Sequence, residues 1–262
     1  MIKGIRILKK TNYYVFYFES FSDEMKNIIR AQLQGIYHGF AEIDITPEFY
    51  SYENTLSSFL DRYEDKTEET KKGMIGELLL HVLLNHLDFG IKSLSILKNK
   101  EERSIKKGFD VIYCEIDKKK LWYTEIKSGK SDDGSKNSSI YNIELLNRAK
   151  SGIITMFSQK QNSRWESALI DVSLTIKQTE GLVDLKKLLA NDSPSVISDG
   201  KKNVILVSVL YHDLSDEINV DSIKEFCDET IKDDVFLSLI GISIQKSTYQ
   251  KVAQFLRDEI KK

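Results

Sequence analysis

Between residues 70 and 89 apolar side chains return at helical spacing. Met74, Ile75, Leu78, Leu79, Val82, Leu83 and Leu87 fit a 3.6-residue repeat, and Gly90 supplies a stop. The run at 12–18 is of another kind: its contiguous aromatic and β-branched residues, Tyr13 through Phe18, predict a strand. Ser22 then caps a helix over 23–39, with Asp23 and Glu24 in its first turn. Residues 51–70 are polar and acidic, with helical pieces. Strands are predicted over 108–116 and 121–129, and a polar loop over 131–139 leads into an amphipathic helix over 143–157. The stretch 168–176 fits strand and helix equally. Two β-type runs, 203–211 and 236–245, are each followed by a helix, over 222–231 and 248–260. There is no internal repeat and no evident linker. The pattern predicts a mixed α/β fold, with an N-terminal α/β arm over 1–69 and a core over 70–262.

Composition narrows the class. With 41% hydrophobic and 30% charged residues, the chain has enough apolar matter for a substantial core and is not a disordered segment. Two cysteines, Cys114 and Cys227, make neither a disulfide framework nor a paired metal-ligand spacing, which fits a reducing compartment. The opening residues lack the apolar stretch of a secretory signal, and no apolar run approaches the ~20 residues of a membrane span. A cytoplasmic protein is expected. The formal net charge is only −2, but it is unevenly placed. Residues 92–164 hold 16 Lys/Arg against 9 Asp/Glu, whereas the remainder holds 22 against 31. A basic middle in an acidic chain suggests a local anion site; a solvated lysine-rich surface is the equal alternative on charge alone.

The candidate chemistry lies in the hairpin of the two central strands. A turn centred on Lys118-Lys119 pairs residues whose numbers sum to 237, so Asp110 is expected across from Lys127 and Ile112 across from Glu125. Opposed residues share a face, and side chains repeat every second residue along a strand. Asp110, Glu125 and Lys127 are therefore expected on one side of one sheet. Two carboxylates on neighbouring strands make a hard-oxygen site suited to Mg²⁺, with Mn²⁺ as the alternative. Lys127 can acidify an attacking water or offset charge growing on phosphorus. Upstream, Glu77 interrupts the apolar stretch Ile75-Gly76-Glu77-Leu78-Leu79, and a buried carboxylate needs a cation or lysine beside it.

The order Gly76-Glu77, Gly108-Phe109-Asp110, then Glu125-Ile126-Lys127 resembles the PD-(D/E)xK nuclease core, with Phe109 where the pattern has proline. The wider context, Lys72-Gly73-Met74-Ile75-Gly76-Glu77-Leu78-Leu79-Leu80 and Glu125-Ile126-Lys127-Ser128-Gly129-Lys130, resembles the HamA family, nuclease subunits of Hachiman antiphage defence. The resemblance implies a restriction-endonuclease-like mixed sheet, with Asp110 and Glu125 as metal ligands and Lys127 as catalytic lysine. Glu77 would support the metal site. It also implies a helicase partner (HamB) and cleavage of DNA. A catalytically silent scaffold subunit of the helicase complex and a nuclease acting on RNA are the alternatives. The partner-docking role falls to the 1–69 arm, on its acidic, aromatic-rich character.

Some signals carry little. An acidic residue two before a lysine recurs at Glu24-Met25-Lys26, Asp184-Leu185-Lys186 and Glu259-Ile260-Lys261. Ser128-Gly129-Lys130-Ser131 is no phosphate loop, because Thr124 stands where that motif needs glycine. The chain thus carries no visible ATP motor. Lys130, Arg148 and Lys150 are candidate phosphate contacts, weighed against the wet face of a helix. His81, one turn after Glu77, reads as a core neighbour, and Cys114 as a small buried hydrophobe.

Overall fold

The computed structural model describes residues 1–87, 89–98, 108–130, 137–159, 161–196 and 200–260. Its centre is a seven-stranded mixed sheet. The strands are β1 (Ile5–Lys9), β2 (Tyr13–Phe18), β3 (Lys92–Ser93), β4 (Val111–Glu115), β5 (Lys120–Lys130), β6 (Asn203–Tyr211) and β7 (Ser238–Lys246), in the order β1-β2-β7-β6-β5-β4-β3. β5, β6, β7 and β2 run parallel; β1, β4 and β3 are added antiparallel at the two edges.

Eight α-helices lie among the described residues, four on each face. α1 (Asp23–His38), α2 (Tyr52–Glu64), α3 (Glu68–His86) and α8 (Gln250–Ile260) close one core with Phe16, Phe18, Val111, Tyr113, Ile126, Val207 and Ile244. α4 (Ser138–Ser158), α5 (Asn162–Thr175), α6 (Leu182–Asn191) and α7 (Val220–Lys232) close the other with Val15, Tyr17, Ile112, Tyr123, Leu206 and Leu210. The alternation of residue numbers between the two cores is the period-two signature of strands covered on both faces. It explains why β6 is buried along its whole length. Residues 1–69 supply β1, β2, α1 and α2, and β2 pairs in parallel with β7 in the middle of the sheet order.

The expected mixed sheet flanked by helices is the observed architecture, and most elements fall where periodicity puts them. The Ser22 hydroxyl caps α1 by accepting from the Met25 N–H. The undecided stretch 168–176 belongs to α5, whose Trp165, Ala168 and Val172 face the core at helical spacing. β1, β3 and α6 went unread: β1 alternates only weakly, and β3 is two residues long.

The hairpin register departs from expectation by two residues. The observed pairs are Val111↔Thr124, Ile112↔Tyr123, Cys114↔Leu121 and Glu115↔Lys120, summing to 235 rather than 237. The loop is Ile116–Lys119, closed by hydrogen bonds from Lys118 N to Glu115 O and from Lys119 N to Ile116 O. Lys119 takes the left-handed region at φ 50°. The Trp122 indole N–H donates to Glu115 Oε1 at 2.8 Å, pinning this register. An even shift leaves every side chain on its expected face. Asp110 thereby comes opposite Glu125 instead of Lys127.

Candidate active site

β4 begins at Val111, paired with Thr124, so among the described residues β5 runs on from Glu125 to Lys130 with only β6 paired beside it. That unpaired edge is where the candidate residues meet. The Asp110 carboxylate fills the first ladder place that β4 leaves open, its Oδ2 accepting the Ile126 N–H at 2.7 Å. Glu125, 6% exposed, lies on the α4 face of β5 and touches the Asp110 carboxyl. Lys127, the next residue on that face, donates its ammonium to Glu125 Oε1.

Burial pushes the Glu125 carboxyl up to about 8. The Asp110 carboxylate pushes the same way, and Lys127 only partly offsets both. A buried Glu125 beside a second carboxylate forms a site that favours a cation, or else a proton in its place. The donor set is hard oxygen from β5 and from the residue that leads into β4, with an ammonium alongside, and so fits a divalent cation such as Mg²⁺.

α4 leaves room for this pair through Gly152. A Cβ there would lie 2.8 Å from Glu125 Oε1, nearer than side-chain atoms ordinarily come. A glycine within a helix costs about 1 kcal/mol against alanine, so its presence here marks a close approach. The sequence reading passed over Gly152, although an interior glycine in an amphipathic helix was a usable signal.

Glu77 lies on α3, which packs on the other face of the sheet from α4; burial, and with it the Glu77 charge, pushes the Tyr113 phenol up. Gly76 beside it lets the helix approach: a Cβ at that position would meet Ser128 Oγ at 2.2 Å and Val209 Cγ2 at 3.2 Å. No group of three or more His, Cys, Asp or Glu able to hold a metal forms among the described residues. Asp110, Glu125 and Lys127 are thus brought together, while Glu77 approaches from across β5.

Lys130 is exposed at the end of β5, and exposed Arg148 sits one turn before Gly152 on α4. The Lys150 ammonium is held by Asp233 at 2.5 Å. His81 is fully buried, its ring 6.5 Å from that of Tyr113. Cys114 is buried, which pushes its thiol up to about 11 and keeps it from acting as a nucleophile near neutral pH. Phe109, in the place of the pattern's proline, packs with Tyr123, Phe157 and Trp165, ring centroids 4.7, 5.9 and 5.0 Å away. This aromatic box anchors the residue before Asp110. No helix among the described residues is long and apolar enough to cross a membrane.

The comparison with curated proteins returns no match. The HamA family model matches residues 5–260, from the first strand to the last helix, and the chain belongs to the HamA family.

Proposed function

We propose that the chain is a metal-dependent nuclease that hydrolyses DNA phosphodiesters as part of an antiphage defence complex. HamA membership carries the defence role. The observation that carries the chemistry is the meeting of Asp110, Glu125 and Lys127 at the open edge of β5. Carboxylates from two strands with a lysine two residues after the second is the arrangement the PD-(D/E)xK pattern describes.

In this reading Asp110 and Glu125 hold Mg²⁺ or Mn²⁺, and Glu77 supports the site from the α3 side. The cation, when bound, supplies a more acidic water and a Lewis acid for the scissile phosphate's oxygens. Asp110 keeps its Oδ2 on the Ile126 N–H, which fixes the direction of its other oxygen. Lys127, whose ammonium lies on Glu125 Oε1, would orient the attacking water or offset charge growing on the phosphoryl oxygens. Lys130 and Arg148, exposed at the rim, contact backbone phosphates and set the path of the strand.

A helicase subunit fits this chain as partner. A net charge of −2 gives little general grip on DNA, and a partner that translocates on DNA would supply it. Labelled DNA and RNA of one sequence, incubated in Mg²⁺ with and without that subunit, test the reading. The expected result is cleavage of DNA, strongest in the complex and abolished by EDTA. Cleavage confined to RNA, or none of either, would overturn it.

A further inference from the structure

The last residue of β7 is a lysine in the interior. Lys246 is 2% exposed, yet its ammonium makes no hydrogen bond or ion pair among the described residues. Its Nζ stands over two aromatic rings, 5.8 Å from the Phe18 centroid and 5.4 Å from that of Phe21. The charge it feels most is a like one, Lys251 in the first turn of α8, and burial with this neighbour pulls it down to about 8. Lys26 also stands over the Phe21 ring, 5.9 Å away, but is paired with Asp23, whereas Lys246 has no carboxylate paired with it among the described residues. Ring faces return less to a desolvated cation than burying it costs. A methionine would pack there without that cost.

Position adds a second argument. Sheet register places Lys130, Tyr211, Lys246 and Phe18 in one row across β5, β6, β7 and β2, and residues in register share a face. Lys246 is thus two strands from Lys130, roughly 10 Å, at the end of the sheet towards which β5 runs on from Glu125. Five residues of β5, roughly 16 Å, separate that row from Glu125.

We propose that Lys246, flanked by Lys251 and Lys130, forms a phosphate-binding position that takes a backbone phosphate of the nucleic acid a few nucleotides from the scissile bond. The proposal rests on the nuclease reading for its substrate. The incoming anion would supply the counter-charge that the fold withholds from Lys246. A strand crossing the end of the sheet would touch this position on the α8 face before or after passing the Asp110–Glu125 pair on the other.

The test is binding rather than cleavage. Anisotropy of a fluorescein-labelled single-stranded DNA is measured with the full chain in EDTA across a salt series. Lys246→Met should weaken binding three- to ten-fold and lower the slope of log K against log salt by about one, with the melting temperature held or raised. Lys246→Arg should stay near wild type. If the methionine variant is poorly folded, the exposed Lys251→Ala should still weaken binding. Inorganic phosphate and ATP as competitors separate the sources. Loss of their binding in Lys246→Met with unchanged DNA affinity would overturn the backbone assignment. Wild-type affinity and slope in Lys246→Met, or no DNA binding by the wild-type chain even at low salt, would also overturn it. Because Glu125→Ala should abolish cleavage and keep binding, failure here is distinguishable from failure of the nuclease reading.

Discussion

The Asp110 carboxylate accepts a hydrogen bond from the Ile126 N–H at 2.7 Å, standing in for a backbone carbonyl that β4 does not provide. A carboxylate proposed to be catalytic is thus also a rung of the sheet. The two roles separate on substitution. Asp110→Asn keeps an acceptor for Ile126 and removes the charge opposed to Glu125. Its melting temperature should match or exceed wild type while cleavage falls at least a hundredfold. Asp110→Ala leaves the N–H without its partner and should cost about 1–3 kcal/mol in denaturant unfolding, with the same loss of activity.

Gly152 tests the shape of the pocket. Gly152→Ala gains ~1 kcal/mol of helix propensity but sets a methyl group 2.8 Å from Glu125 Oε1. The expected outcome is near-wild-type stability with metal affinity and cleavage each reduced tenfold or more, read by calorimetric titration and by gel. Unchanged metal affinity would show that Glu125 does not need its observed position.

pH dependence follows from Glu125, whose carboxyl is raised from 4.5 to about 8 in the metal-free fold. In that window the native state binds more protons than the unfolded one, so metal-free stability should fall as pH rises from about 4.5 to about 8. Glu125→Gln should remove this slope. A cation competes with that proton, so cleavage at limiting Mg²⁺ should rise towards pH 8 and level off at lower pH when Mg²⁺ is raised. A rate that does not shift with metal concentration would break the link between Glu125 and the cation.

Residues 1–69 should not be removable without cost. β2 pairs with β7, and Phe16 and Phe18 share a core with Ile75, Leu79 and Val209. Deleting the segment bares the edge of β7 together with that core. The truncated chain should be aggregated or molten by near-UV circular dichroism, with or without a partner.

Much of the candidate site could be read from sequence because it depends on parity. Face assignment survives any even error in register, so Asp110, Glu125 and Lys127 were expected together although the pairing was two residues off. What escaped depends on tertiary approach. The Trp122–Glu115 bond that sets the register joins residues seven apart, and Gly152 matters only because α4 lies over Glu125. The placement of β2 beside β7 joins the two ends of the chain, which local periodicity does not report. The helix that carries Glu77 was legible from its apolar repeat and is observed as α3. Lys246 ends a run that reads as an ordinary strand, and only packing against Phe18 and Phe21 makes it unusual.

The most direct test of the central claim is plasmid cleavage in Mg²⁺ by the chain with the proposed helicase partner, wild type beside Glu125→Ala and Lys127→Ala. The account predicts metal-dependent cutting by wild type that disappears in both variants while the complex still forms. Variants that cut as well as wild type, or a wild-type complex that cuts under no metal condition, would contradict it.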